Sequence, residues 1–227
     1  MNFAVFCSGR GTNLAALLDA HEAGRIGGAV PVAVVCDSHH AGAINVGRER
    51  GIYSTFVPRT AYHANRDGFE RRLLEVLAPL DVDFVILAGF MRILGNVFLS
   101  AFPNRVINVH PALLPAFPGH DVWRKAIDYG VKLAGATVHF VDEGVDSGPI
   151  IIQGTVPVFD GDDADELADR ILTVEHKILP QAVKWLAEER ITLSGRHVSV
   201  KGVDQPTRYN NCIWPPFDFD YLNEHHD

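Results

Sequence analysis

Cysteine is scarce in this chain, and its pattern excludes two classes of protein at once. Only three of 227 residues are cysteine, namely Cys7, Cys36 and Cys212. An odd count with no CxxC spacing supports neither a disulfide framework nor a thiolate metal site. Long apolar runs are also missing. The longest, FVILAGFM at 84–91, is far too short to cross a bilayer, so no membrane partner is expected. Positive charge is outweighed, with 20 Lys and Arg against 28 Asp and Glu and a formal net charge of −8. With no basic run, nothing resembles the footprint of a nucleic-acid binder, and an anionic ligand must be held by a few local donors. The opening MNFAVFCSGRG carries no basic leader, so no signal peptide is expected and the cytoplasm is the expected compartment. No repeat or low-complexity linker interrupts the chain.

What is present is an alternation of apolar runs and helix-like stretches. FAVFC (3–7), VPVAVVCD (30–37), YSTFV (53–57), VDFVILA (82–88) and RVINVH (105–110) read as strands. NLAALLDAHEAGR (13–25), AGAINVGRERG (41–51) and RDGFERRLLEVLAPL (66–80) read as the helices between them. Continuous apolar strands joined by helices predict a Rossmann-like α/β fold, an open and mostly parallel sheet with helices on both faces. After Pro118 the pattern changes. A helix at 121–130 precedes two strands around the turn EGVDSGP, close enough to be antiparallel. A long amphipathic helix covers 163–189, where Pro180 predicts a kink or break. Residues 191–227 hold one or two short strands and an aromatic tail.

Three stretches carry chemistry. The first is CSGRGTNL (7–14), a glycine turn between the first strand and helix. Thr12 or Asn13 can cap that helix, whose free amides and dipole suit a phosphate. A plain strand-to-helix turn explains a lone Gly-x-Gly equally well. It is no Walker loop, since no Gly-Lys-Ser/Thr follows. Leu14 replaces the third glycine of a dinucleotide fingerprint, although Asp37 ends the second strand where a ribose-binding acid would sit.

The second stretch is INVHPALLPAFPG (107–119). Asn108 and His110 lie two apart on a strand and therefore share a face. They stand where ligands bind in open α/β sheets. An Asn amide is a neutral donor for a developing oxyanion, and His is the usual proton carrier near neutral pH. The third is VDEGVDSGP, whose Asp146 could reach His110; a carboxylate beside an imidazole favours the charged ring. No G-x-S-x-G and no reactive cysteine setting is present. The expected chemistry is acyl-type transfer to an external nucleophile, without a covalent enzyme intermediate. Blander roles compete for each residue. His110 before a proline can be a turn residue, and Asp146 a turn former. His139 in TVHF reads as a satisfied core histidine, or one that supports a catalytic neighbour, and not as a catalyst. His39 and His40 read as solvated loop residues, Phe90 and Met91 as core, and Glu175 and His176 as an ordinary polar helix face.

Taken together, SGRGTNL, LAGFMRIL, NVHPALLPAFPG, TVHFVDEGVDSGPIIIQ and EHKILP, in this order, resemble the folate-dependent formyltransferases. SGRGTNL at the N-terminus is similar to the phosphoribosylglycinamide branch of purine synthesis. The resemblance runs to about residue 190. It implies one formyltransferase domain over 1–190, with a nucleotide-binding half at 1–110 and a folate and catalytic half at 111–190, followed by C-terminal strands and tail at 191–227. It implies catalysis by Asn108, His110 and Asp146. Gly11, Thr12, Asn13 and Glu175 would bind the ribonucleotide. Arg66, Met91, Arg92, Ile93, Leu94, Asn108 and the loop Asp142, Glu143, Gly144, Val145 and Asp146 would bind folate. The implied co-substrate is 10-formyltetrahydrofolate, with no metal, no nucleic acid and a monomer or homodimer. Gly144, His120 and Trp123 depart from the pattern.

Three other functions share parts of this sequence. A 10-formyltetrahydrofolate deformylase would use the same trio as a hydrolase. A methionyl-tRNA formyltransferase would need an RNA-binding domain that this short, acidic chain does not provide. A dinucleotide-binding module using Gly9, Gly11 and Asp37 would leave NVHPALLP without a role.

Overall fold

The first strand sets the pattern for the sheet. β1 (Asn2–Cys7) is buried from Phe3 to Cys7, odd and even positions alike. A strand loses both faces to solvent only when the sheet is covered on both sides. The structure, a computed structural model, describes residues 1–38, 41–62 and 65–203, together with the backbone of 213–214. The readings of His39, His40, Cys212 and most of the tail fall outside these residues.

The chain continues through α1 (Thr12–Glu22), β2 (Val30–Cys36), α2 (Ala43–Glu49), β3 (Tyr53–Phe56), α3 (Arg66–Leu77), β4 (Phe84–Ala88), α4 (Asn96–Leu99) and β5 (Val106–His110). It then runs through α5 (Val122–Tyr129), β6 (Leu133–Phe140), β7 (Ile150–Pro157) and α6 (Ala164–Ala187). A hairpin of β8 (Ile191–Ser194) and β9 (His197–Val200) follows, and then β10 (Ile213–Trp214). The main sheet has the order β10-β7-β6-β5-β4-β1-β2-β3. Neighbours from β3 to β5 are parallel, whereas β6, β7 and β10 pair antiparallel.

Two apolar layers flank the sheet. On one side Leu14, Leu17, Ile171, Ile178 and Trp185 from α1 and α6 pack on Phe3, Val5 and Ile107. On the other, Phe69 and Leu73 of α3 and Phe98 of α4 pack on Ala4, Phe6 and Val85. Helices therefore cover both faces, as the strand composition requires.

Two expectations are corrected. α6 runs unbroken through Pro180. Proline inside a helix costs about 3 kcal/mol or more, but Ile178, Leu179, Ala182 and Val183 around it are fully buried. Burial of each large side chain contributes roughly 1.5–3 kcal/mol, which outweighs that cost. The helix also starts on a strong signal, since the Asp163 carboxylate accepts from the Asp165 and Glu166 amides at 2.9 Å. Second, neither Thr12 nor Asn13 caps α1. Gly11 holds the cap position at φ 86, with no side-chain cap.

Candidate active site

β5 and the turn after it place the first two side chains. The even residues of β5 point to the face covered by α3 and α4, so Asn108 and His110 emerge together there. Gly119 closes the turn that follows, at φ 80. Asp146 arrives by a different route from the one its position suggests. β6 runs antiparallel to β5, and the Val141 amide donates to the Val106 carbonyl. The 141–149 loop therefore leaves beside the start of β5, and Asp146 comes back over the strand to reach the side chains of Asn108 and His110.

There the carboxylate is gripped from several sides. Its Oδ2 accepts from the Gly119 amide at 2.8 Å and lies 3.4 Å from His110 Nδ1. Its Oδ1 lies 3.4 Å from Asn108 Nδ2 and 3.7 Å from His139 Nε2. His110 Nε2 faces the Phe117 carbonyl at 2.9 Å. Both ring nitrogens of His110 thus face acceptors. Asp146 itself has φ 49, a left-handed conformation that a non-glycine residue keeps only when its surroundings hold it.

His139 fixes Asn108. The Phe140 carbonyl lies 2.8 Å from His139 Nδ1, so that nitrogen carries the proton. Nε2 then accepts from Asn108 Nδ2 at 3.1 Å. This tautomer sets which way the amide points. Burial pushes the pKa of His139 below its ordinary value, partly offset by the Phe140 carbonyl and Asp146, and keeps the ring neutral. One amide N–H of Asn108 is held firmly. The other faces Asp146 at a distance where hydrogen bonds are weak, and can turn to a ligand.

A cavity of 480 Å³ opens over this group. Its wall includes Met91, Arg92, Ile93 and Leu94 from the segment after β4, and Asp142, Gly144 and Val145 from the loop of Asp146. The size is that of a pocket for a drug-sized organic ligand. Two expected folate residues are not in the wall. Arg66 instead donates to the buried Glu70 at 3.0 Å, and Glu143 stands outside the lining. Arg92 lines the cavity, donates to the Arg59 carbonyl at 3.0 Å and lies over the Phe69 ring.

Sequence reading missed several contributors. Glu70 accepts from the Gly95 and Phe98 amides at 2.6 and 2.9 Å, which ties α4 and the segment after β4 to α3. Its only signal is a carboxylate placed among core positions of an amphipathic helix. The Gly119 amide, the Phe117 carbonyl and the cavity wall at Asp121 gave no pattern, whereas His120 and Trp123, read as departures from the pattern, also line the cavity.

The residues expected to bind a ribonucleotide gather elsewhere on the same sheet edge. Gly11, Thr12 and Asn13 start α1, directly after β1, which lies two strands from β5. Two strand spacings are about 10 Å. Asn13 Nδ2 donates to Glu175 Oε2 at 2.5 Å. Glu175 is therefore not part of an ordinary polar face. It is 6% exposed, and burial pushes its carboxyl up to about 6, with the Asn13 hydrogen bond opposing. A Cβ on Gly11 would sit 2.7 Å from the Ala43 Cα, so the turn is packed against α2. Asp37, at the end of β2, is 1% exposed and so offers no carboxylate to a ribose. Burial also raises both described thiols, Cys36 to about 11, which leaves no thiolate nucleophile there.

An open α/β sheet thus carries an amide donor, an imidazole and a carboxylate beside a cavity of organic-ligand size. The formyl transferase family matches residues 1–183. The phosphoribosylglycinamide formyltransferase of Escherichia coli K12 is 38% identical over 193 residues, covering 85% of this chain and 90% of that protein. The trifunctional purine biosynthetic protein adenosine-3 of Drosophila melanogaster is 39% identical over 193 residues, 84% of this chain and 14% of that longer protein. The crystal structure of glycinamide ribonucleotide transformylase 1 from Symbiobacterium toebii superposes with a TM-score of 0.85 at 44% identity, covering 88% of this chain and 93% of that one. This chain belongs to the formyl transferase family.

Proposed function

We propose that this chain transfers the formyl group of 10-formyltetrahydrofolate to the amine of 5′-phosphoribosylglycinamide, a step of purine biosynthesis. The observation that carries the reading is Asp146 held between His110, Asn108 and the Gly119 amide at the wall of the cavity. The relatives' names support transfer over the hydrolase alternative.

In this reading the cavity takes the folate, with Met91, Ile93 and Val145 against its rings. Gly11, Thr12 and Asn13 hold the phosphate at the start of α1, and Glu175 orients the ribose. The ~10 Å between the two regions suits a ribonucleotide that brings its amine to Asn108. The amine attacks the formyl carbon and a C–N bond forms. Asn108 donates to the oxyanion, and His110 joins it by exchanging the Phe117 carbonyl for the oxyanion as partner of Nε2. Asp146 keeps His110 oriented and passes the amine's proton toward the departing folate nitrogen, whose bond to the formyl carbon then breaks. The chemistry asks nothing of a metal, and the described residues contain no cluster able to hold one.

Residues 1–190 serve as the formyltransferase domain, with 191–227 as an appendage. The chain works in the cytoplasm as a monomer or homodimer, without nucleic acid. No helix among the described residues is long and apolar enough to cross a membrane. The test follows deformylated folate by absorbance. Release only when phosphoribosylglycinamide is present supports the transferase; release without it supports the deformylase.

A further inference from the structure

We infer that Arg196, in the turn of the C-terminal hairpin, latches the loop that carries Asp146 and acts as a positioning residue for formyl transfer; this rests on the functional reading above. Arg196 Nη2 donates to the Ser147 carbonyl at 2.8 Å, one residue past Asp146 and 49 positions back along the chain. The hairpin is a firm base for such a latch. Ile191, Leu193, Val198 and Val200 pack against the core layer of α1 and α6. Its open end is closed by the Lys201 amide on the Arg190 carbonyl and by Arg190 Nε on the Lys201 carbonyl, at 2.9 and 2.8 Å.

The loop is tied from outside at the Asp146 carboxylate, which accepts from the Gly119 amide at 2.8 Å, and Arg196 adds a hold on its backbone. From within, Asp142 Oδ1 accepts from the Gly144 amide and the Ser147 hydroxyl at 3.1 and 2.6 Å. Those bonds shape the loop but do not fix where it sits over β5. Asp146 keeps a left-handed backbone at φ 49. At the next residue but one, a Cβ on Gly148 would collide with the Phe140 carbonyl, so the chain turns back sharply into β7. Ser147 is the pivot between that turn and the catalytic carboxylate. A charged donor on its carbonyl opposes lift-off of the loop from His110 and from the cavity.

Arg196→Ala and Arg196→Lys in the full chain test this. Arg196 is exposed, so both variants fold. Loss of one charge-assisted hydrogen bond predicts a kcat about fivefold lower in Arg196→Ala. The KM for 10-formyltetrahydrofolate rises, because the loop walls that cavity, while the KM for phosphoribosylglycinamide stays unchanged. Arg196→Lys recovers part of the loss. Amide exchange at 144–147, measured without substrates, is faster in Arg196→Ala. Native kcat with native exchange overturns the latch, and so does an equal change in both KM values with a lowered melting temperature. The exchange measurement stands apart from the functional reading. A native chain with no transferase activity sinks that reading, whereas unchanged exchange in an active enzyme sinks only the latch.

Discussion

His110 and Asp146 face each other across 3.4 Å, Nδ1 to Oδ2, although the two residues lie on different sides of a strand reversal. The Gly119 amide on the same Oδ2 fixes the carboxylate from the turn that follows His110. Removing either side chain takes away the proton carrier or the group that orients it. His110→Ala and Asp146→Asn should each lower kcat about a hundredfold or more. Steady-state assays with both substrates decide this, and near-native turnover in either variant removes that residue from the mechanism.

His139 should be a neutral acceptor that sets Asn108. His139→Ala leaves the amide without its 3.1 Å partner and should lower kcat about tenfold, the worth of one hydrogen bond. His139→Gln, which offers a carbonyl oxygen, should keep more activity. Burial lowers the folded-state pKa of this histidine, so folding excludes its charged form. The stability it supports is present above about pH 6.5, the unfolded value, and is lost as the pH falls below it. Urea unfolding at pH 7.5 and 5.5 should therefore show a smaller acid loss in the Gln variant. An equal loss in both proteins refutes the buried neutral ring.

Glu175 gives the opposite dependence. Its carboxyl is raised from 4.5 to about 6 by burial, so the folded state prefers the protonated form. The ionised group costs roughly 2 kcal/mol above pH 6, and that cost disappears as the pH falls through 6 to 4.5. Glu175→Gln keeps an acceptor for Asn13 and removes the charge. Its melting temperature should exceed that of the native chain at pH 8, with the gap closing by pH 4.5. The KM for phosphoribosylglycinamide should rise while that for folate holds. A pH-independent gap would show that Glu175 is not the buried acid described above.

Gly11→Ala separates the two substrate regions. At φ 86 an alanine is strained by about 1 kcal/mol or more, and its Cβ meets Ala43 at 2.7 Å. The turn at the start of α1 must shift. The KM for the ribonucleotide should rise at least tenfold, with the KM for 10-formyltetrahydrofolate unchanged. A rise confined to folate would move the phosphate away from this helix.

The strands of the parallel half were legible because β-branched and apolar runs bury on both faces whatever the loops do. Asn108 and His110 were legible from the two-residue period alone. The route of Asp146 was not. A turn residue announces a bend, but only the antiparallel register of β6 determines that its loop folds back over β5. Glu175 looked like surface because helix periodicity is relative, and α6 is packed on the sheet and on α1 at once. Glu70 was not legible either: a buried carboxylate among apolar positions is read as an error in the pattern until its amide donors are seen. Pro180 breaks helices in water, but the turn of α6 that holds it is buried.

The Asn13–Glu175 bond joins positions 162 apart, whereas Asn108, His110 and Asp146 all lie within one continuous third of the chain. During synthesis neither group is complete before α6 has emerged, because Glu175 lies on it and Arg196, which holds the Asp146 loop, follows it. In the proposed reading, competence for both substrates is thereby coupled to completion of the fold.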